Sequence, residues 1–113
     1  MDQAEQILKK YWGYNSFRPV QYDIIDQVLL GKDALALLPT GGGKSICFQV
    51  PAVMLEGICL VVSPLIALMK DQVDQLKKRN IKADAIYSGM HYREIERILD
   101  NAILGETKLL YLS

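Results

Sequence analysis

Eight residues, Leu38-Pro39-Thr40-Gly41-Gly42-Gly43-Lys44-Ser45, constrain this chain more than any other stretch. They follow a short apolar run, Ala34 to Leu38, whose composition predicts a buried strand. They precede a segment from Lys44 onward whose pattern predicts a helix. Three consecutive glycines let the backbone take positive φ values and bring N–H groups close to a ligand. A helix starting at Lys44 aims its positive dipole end at the same point, which suits an anion. The closing Gly-Lys-Ser suits a phosphate in particular. Lys44 offers a mobile ammonium to the β- and γ-phosphates of a nucleoside triphosphate, and Ser45 offers a hydroxyl ligand to Mg²⁺. Strand, glycine-rich loop and helix in this order are the setting that a phosphate-binding loop requires. The full pattern opens with a glycine where Leu38 stands, so the match departs at that position.

The rest of the chain alternates helix-period and strand-like segments. Ala4 to Tyr11 predicts a short helix. Pro19 suits the first turn of a second, since its missing N–H has no partner there. In that helix Val20, Ile24, Ile25, Val28 and Leu29 share one face, and Gly31 is placed to stop it. Pro51 is expected to kink or end the helix after the loop near Val50. Ile58 to Val62 predicts a strand ending at Ser63-Pro64. Leu65, Leu68, Met69, Val73 and Leu76 form the stripe of the next helix, with lysines at its C-terminal end as the dipole prefers. Ala83 to Tyr87 predicts a third strand. Ile95, Ile98, Leu99, Ala102 and Ile103 form the cleanest helical stripe, and Lys108 to Leu112 a fourth strand. Two leading helices followed by β-α-β-α-β-α-β, with strands this apolar, predict an α/β fold in three layers. A parallel sheet is covered by helices on both faces.

Lysine plus arginine number 13 and aspartate plus glutamate number 13, so the overall basic charge of a stand-alone nucleic-acid binder is missing. No apolar run approaches the roughly 20 residues that span a bilayer. The polar start, MDQAEQILKK, does not read as a signal peptide. Cys47 and Cys59 lie in apolar stretches without metal spacing and read as reduced core thiols of a cytoplasmic protein.

The segments around the loop carry a resemblance. Gly13-Tyr14-Asn15-Ser16-Phe17-Arg18-Pro19-Val20-Gln21 is similar to the motif upstream of the phosphate loop in RecQ-type DNA helicases of superfamily 2. Pro39 to Ser45 resembles their motif I, and Leu60 to Gln72 their motif Ia. Leu109 to Ser113 is similar to the strand before their next short motif. The resemblance runs from about Tyr11 to the end. It implies a RecA-like P-loop NTPase fold and an ATP-dependent DNA helicase, working 3′ to 5′ in replication, recombination and repair. It implies further that Tyr14 stacks on adenine while Arg18 and Gln21 bond its edge. Thr40, Gly41, Gly42, Gly43, Lys44 and Ser45 would hold phosphates, with Lys44 catalytic and Ser45 on Mg²⁺. Ser63, Pro64 and Leu65 would touch the backbone of single-stranded DNA at a duplex junction. The protein would be cytoplasmic, on the nucleoid in a bacterium, or nuclear in a eukaryote.

Each of these side chains also has a plain structural reading. Tyr14 packs before a helix; Arg18 and Gln21 are solvated; Lys70 and Asp71 form an exposed ion pair; His91 is a surface residue. Trp12 packs the leading helix, and Lys77, Lys78 and Arg79 cap a helix end. The acidic motif that holds Mg²⁺ and activates the attacking water in such motors has no counterpart here, since no Asp-Glu pair occurs. Residues 1–113 therefore read as the N-terminal part of a first RecA-like domain, an incomplete domain cut before that motif. Such a piece is expected to bind nucleotide weakly, to hydrolyse it poorly, and to self-associate through an exposed sheet. Two other readings stay open: a stand-alone, non-hydrolysing nucleotide-binding module, and part of a DEAD-box RNA helicase. Against the latter, Ser63-Pro64-Leu65-Ile66-Ala67-Leu68 replaces the Pro-Thr-Arg-Glu-Leu type of motif.

Overall fold

Ala4 and Leu8 lie one helical turn apart, and burying both is what fixes the first helix. The computed structural model of the protein describes residues 2–37 and 43–113. The chain divides into two units, residues 1–56 and 57–113.

The first unit holds three helices, α1 (Asp2–Trp12), α2 (Pro19–Leu29) and α3 (Lys44–Met54). Ala4, Leu8, Ile25 and Val50 form its core, with Trp12, Phe17, Leu29 and Ile46 among the half-buried residues packed against it. Each large aliphatic side chain so buried contributes about 1.5–3 kcal/mol. Trp12 thus packs the leading helix, as expected. Pro19 occupies the first turn of α2, and Leu30 N–H closes that helix onto Asp26 O. The buried residues of α2 are Gln21 and Ile25, whereas Val20 is exposed. The polar Gln21 therefore displaces an expected apolar position from the buried face.

Two sequence expectations fail in this unit. Residues 34–37 form no strand, and Leu35 and Leu37 are 88% and 86% exposed. A short apolar run lacks the period that would tell strand from connector, and only pairing to a neighbour makes it a strand. Leu38, the end of that expected strand, lies outside the described residues. Pro51 does not end α3, which runs through it to Met54 and closes with Leu55 N–H on Pro51 O. Pro51 costs the helix the bond to the Cys47 carbonyl. Burial of Val50, Pro51 and Ala52 offsets it.

The second unit is a parallel α/β unit: β1 (Cys59–Val62), α4 (Ile66–Lys78), β2 (Ala83–Ile86), α5 (Tyr92–Ile103) and β3 (Leu109–Leu112). The strand order is β1-β3-β2, so β3 is central and pairs in parallel with both neighbours. Register places Cys59, Leu109 and Ala83 side by side, then Leu60, Leu110 and Asp84. Because side chains alternate, one face carries Cys59, Val61, Leu109, Tyr111, Ala83 and Ala85. Tyr111 is buried on that face and its hydroxyl donates to Gln72 Oε1 of α4 at 2.7 Å. The opposite face leaves Leu60 and Val62 exposed at 59% and 80%. Met69, Val73 and Leu76 are the buried stripe of α4, while Leu65 and Leu68 stay exposed. In α5 only Ile98 of the expected stripe is fully buried, and Ile103 is 83% exposed. Both helices pack on β2. The α/β class with a parallel sheet is as the sequence predicts, with three strands among the described residues instead of four.

Candidate nucleotide-binding site

Gln21 organises the site in the first unit. It is the third residue of α2, which lets its side chain fold back on the helix start. Its Oε1 accepts Arg18 N–H at 3.0 Å, satisfying one of the free N–H groups there. Its Nε2 donates to Gly43 O at 3.1 Å. Gln21 is 5% exposed, so both bonds are shielded from water. One buried amide thus ties the segment upstream of α2 to the end of the glycine-rich loop, 22 residues away.

Gly43 takes φ 77° and ψ 32°, the left-handed region, directly before α3. A Cβ at that position would overlap the Gln21 amide. Glycine is therefore required twice, by the backbone and by the close approach of Gln21. Cys47 Sγ also reaches Gly43 O, at 3.7 Å from one turn along α3. Burial pushes the Cys47 thiol above its ordinary pKa, and its backbone hydrogen bond only partly opposes this. It stays a protonated structural thiol. Cys59 in the other unit is also raised by burial, opposed by the Lys108 charge, and both cysteines are free.

A cavity of about 320 Å³ opens at this junction, lined by Tyr14, Ser16, Arg18, Gln21 and Gly43 with Leu8 and Ile46. Small-ligand sites occupy about 300–1,000 Å³. Tyr14 is 56% exposed, so it is not the packed residue of its structural reading. Arg18 is exposed at the mouth. Lys44 is exposed and Ser45 half-buried in the first turn of α3. The described donors fit a triphosphate with its metal: a helix N-terminus, an exposed lysine and an adjacent hydroxyl. Thr40, Gly41 and Gly42 lie outside the described residues. The structure thus brings together Tyr14, Arg18, Gln21 and Gly43, with Lys44 and Ser45 following directly. Leu8 and Ile46, as the apolar lining, escaped the sequence reading. Their signal was helical spacing, which reads equally as core.

Ser63, Pro64 and Leu65 belong to the second unit, at the C-terminal end of β1. Ser63 N–H bonds Leu112 O at 2.9 Å and its Oγ accepts Leu65 N–H at 3.2 Å. That side-chain turn holds the loop before α4, with Pro64 and Leu65 exposed. Arg79 Nη1 donates to Gln75 O at 3.2 Å, so this member of the basic run does cap a helix end. The ion pair expected between Lys70 and Asp71 is absent among the described residues; Lys70 instead lies over the Tyr87 ring. His91 is on the surface as expected, and its Nδ1 caps α5 by accepting Arg93 N–H at 3.1 Å.

A phosphate-loop helix start joined to an upstream arginine–glutamine segment is a feature that sequence comparison can test. The sequence profile described as DEAD/DEAH box helicase matches residues 18–112. The chain belongs to the DEAD/DEAH box helicase family. Among its curated relatives, the ATP-dependent DNA helicase RecQ of Pasteurella multocida (strain Pm70) is 47% identical over 110 residues, covering 97% of this chain and 17% of that protein. The ATP-dependent DNA helicase RecQ of Synechocystis sp. is 49% identical over 109 residues, covering 96% of this chain and 23% of that protein. The chain therefore spans about a fifth of the length of these relatives. A crystal structure of a hypothetical ATP-dependent RNA helicase from Sulfolobus tokodaii superposes with a TM-score of 0.72 at 25% identity, over 99% of this chain and 33% of that one. The RecQ-type resemblance and the helicase fold expected from the sequence are thereby borne out. No helix among the described residues is long and apolar enough to cross a membrane.

Proposed function

We propose that this chain supplies the ATP-binding part of an ATP-dependent DNA helicase working 3′ to 5′, and that the cavity at Gln21 receives the adenine. The observation that carries this reading is the pair of bonds made by Gln21. An amide has two donor hydrogens and two lone pairs. After Arg18 N–H and Gly43 O are bonded, the amide keeps the capacity to donate once more and to accept once more. Adenine presents an acceptor, N7, beside a donor, the N6 amine, whereas guanine presents two acceptors, N7 and O6. The Gln21 amide matches the first and opposes the second. The Tyr14 ring covers the base, Arg18 adds a donor at the mouth, and Leu8 and Ile46 give an apolar floor.

Thr40 to Gly43 would wrap the phosphates with backbone N–H groups, Lys44 would neutralise the β- and γ-phosphates, and Ser45 would hold Mg²⁺. The ion supplies charge stabilisation to the transferring phosphoryl group. No Asp-Glu pair is present to orient the attacking water, so the chain by itself binds nucleotide weakly and hydrolyses it poorly. Ser63, Pro64 and Leu65 would meet the DNA backbone at the C-terminal end of β1, the end where open parallel sheets bind ligands. The protein would act in the cytoplasm, on the nucleoid, or in a nucleus. The exposed Leu60 and Val62 suit self-association of the isolated chain, which sedimentation at rising concentration reads directly; a single non-associating species would refute it.

The longer protein containing this chain provides the test. Its ATP hydrolysis should rise strongly with single-stranded DNA and far less with RNA, and it should separate duplexes bearing a 3′ tail. Preferential stimulation by RNA would favour an RNA helicase. No hydrolysis with either would favour a binding module.

A further inference from the structure

Two cations of the second unit lie over aromatic rings. Lys70 Nζ, on α4, is 4.7 Å from the centre of the Tyr87 ring. Arg93 Cζ is 5.9 Å from the centre of the Tyr92 ring, and its Nε donates to the Tyr92 hydroxyl at 3.3 Å. His91 stacks on Tyr92 with ring centres 4.8 Å apart and planes inclined by 25°. The cap bond from Arg93 N–H to His91 Nδ1 fixes the imidazole in that position. Tyr92 nevertheless remains 60% exposed. Other basic groups nearby are engaged by carboxylates: Lys77 with Asp84 at 3.6 Å and Arg97 with Glu94 at 4.0 Å. Among the described residues Lys70 and Arg93 make no ion pair and face rings instead. An exposed, rigid, flat group flanked by a cation is suited to a ligand that is itself flat and carries negative charge.

Tyr87 follows β2 and opens the turn that leads to this cluster, while Ser63 follows β1. Both strands run parallel to β3 on either side of it. The two turns therefore leave the same end of the sheet, two strand spacings or about 10 Å apart. That span suits a few nucleotides of a single strand.

We propose that His91, Tyr92 and Arg93 form a stacking platform for the bases of single-stranded DNA whose backbone passes Ser63, Pro64 and Leu65. This rests on the reading of those three residues as a backbone contact. Every base has a π-face, so stacking on Tyr92 is indifferent to sequence, and the Arg93 guanidinium adds attraction to ring and phosphate.

The test is fluorescence anisotropy on the full chain, with short oligothymidylate and an abasic oligomer of equal length as probes. The platform predicts tighter binding of oligothymidylate. Tyr92→Ala should cut that affinity about ten-fold, in line with the loss of one stacked base, and leave the abasic oligomer unchanged. Tyr92→Trp should restore the preference, and unchanged far-UV circular dichroism would show that α5 persists. Equal binding of both oligomers, untouched by Tyr92→Ala but weakened by Ser63→Ala, removes the platform and leaves the backbone contact. No binding of either oligomer to the wild-type chain removes both.

Discussion

Gly43 shows how a single residue joins the segment at the start of α2 to the start of α3. Its φ of 77° is a conformation that costs an L-residue about 1–2 kcal/mol. Its missing Cβ also leaves room for the Gln21 amide. Gly43→Ala should therefore lower stability by at least about 1–2 kcal/mol in urea unfolding and weaken ATP binding as Gln21 is pushed aside. A variant as stable as wild type with unchanged affinity would contradict the geometry. The need for glycine was legible in the sequence, because Gly-Lys-Ser before a helix calls for it. The partner was not. Gln21 lies 22 residues away, and its burial replaced Val20 on a face that hydrophobic spacing alone assigned to apolar residues.

At the scale of elements, the segments whose period was unambiguous form as expected. α2 begins at Pro19, and α5 matches its stripe in extent. Stripe and burial then part company: in α5 the spacing names five residues, yet Ile98 alone is fully buried. Periodicity reports which side chains share a face and says nothing of how much of that face is covered. The expected strand at residues 34–37 fails for a related reason, since a strand depends on a neighbour that local composition does not specify. A long-range pair lies beside the starts of β2 and β3. Lys82 Nζ donates to Glu106 Oε2 at 2.7 Å, joining the residue before β2 to the turn before β3. That hydrogen bond and the lysine charge hold the Glu106 carboxyl below its ordinary pKa. A depressed carboxylate stabilises the fold above the unfolded-state pKa, and the contribution is lost as pH falls through the folded value. The pair is exposed, so its weight is small. Lys82→Ala should return Glu106 to the ordinary range in an NMR titration. No movement of the Glu106 midpoint would mean that the ion pair does not form in solution.

At the scale of the molecule, the chain contains a helical unit with the cavity at Gln21 and the helix start at Lys44, and a parallel α/β unit with the turn at Ser63. Residues 38–42 of the loop lie outside the described residues. The arginine–glutamine segment before α2, the helix start at Lys44 and the turn after β1 were legible because each is a short run whose chemistry demands particular residue types. The aromatic–cation cluster at Tyr92 was not, since a tyrosine and an arginine at a helix start are common surface residues until their packing is known. We propose that Tyr14, Arg18, Gln21 and the loop through Ser45 make one adenine-nucleotide site within this chain. Calorimetric titration of ATP·Mg²⁺ into the full chain and into Lys44→Ala decides whether they do. Such a site gives saturable binding by wild type, weaker with GTP, and a fall in Lys44→Ala of about 1.5–3 kcal/mol, or about ten- to hundred-fold. Absence of binding by a folded wild-type chain, or equal affinity in Lys44→Ala, would contradict it.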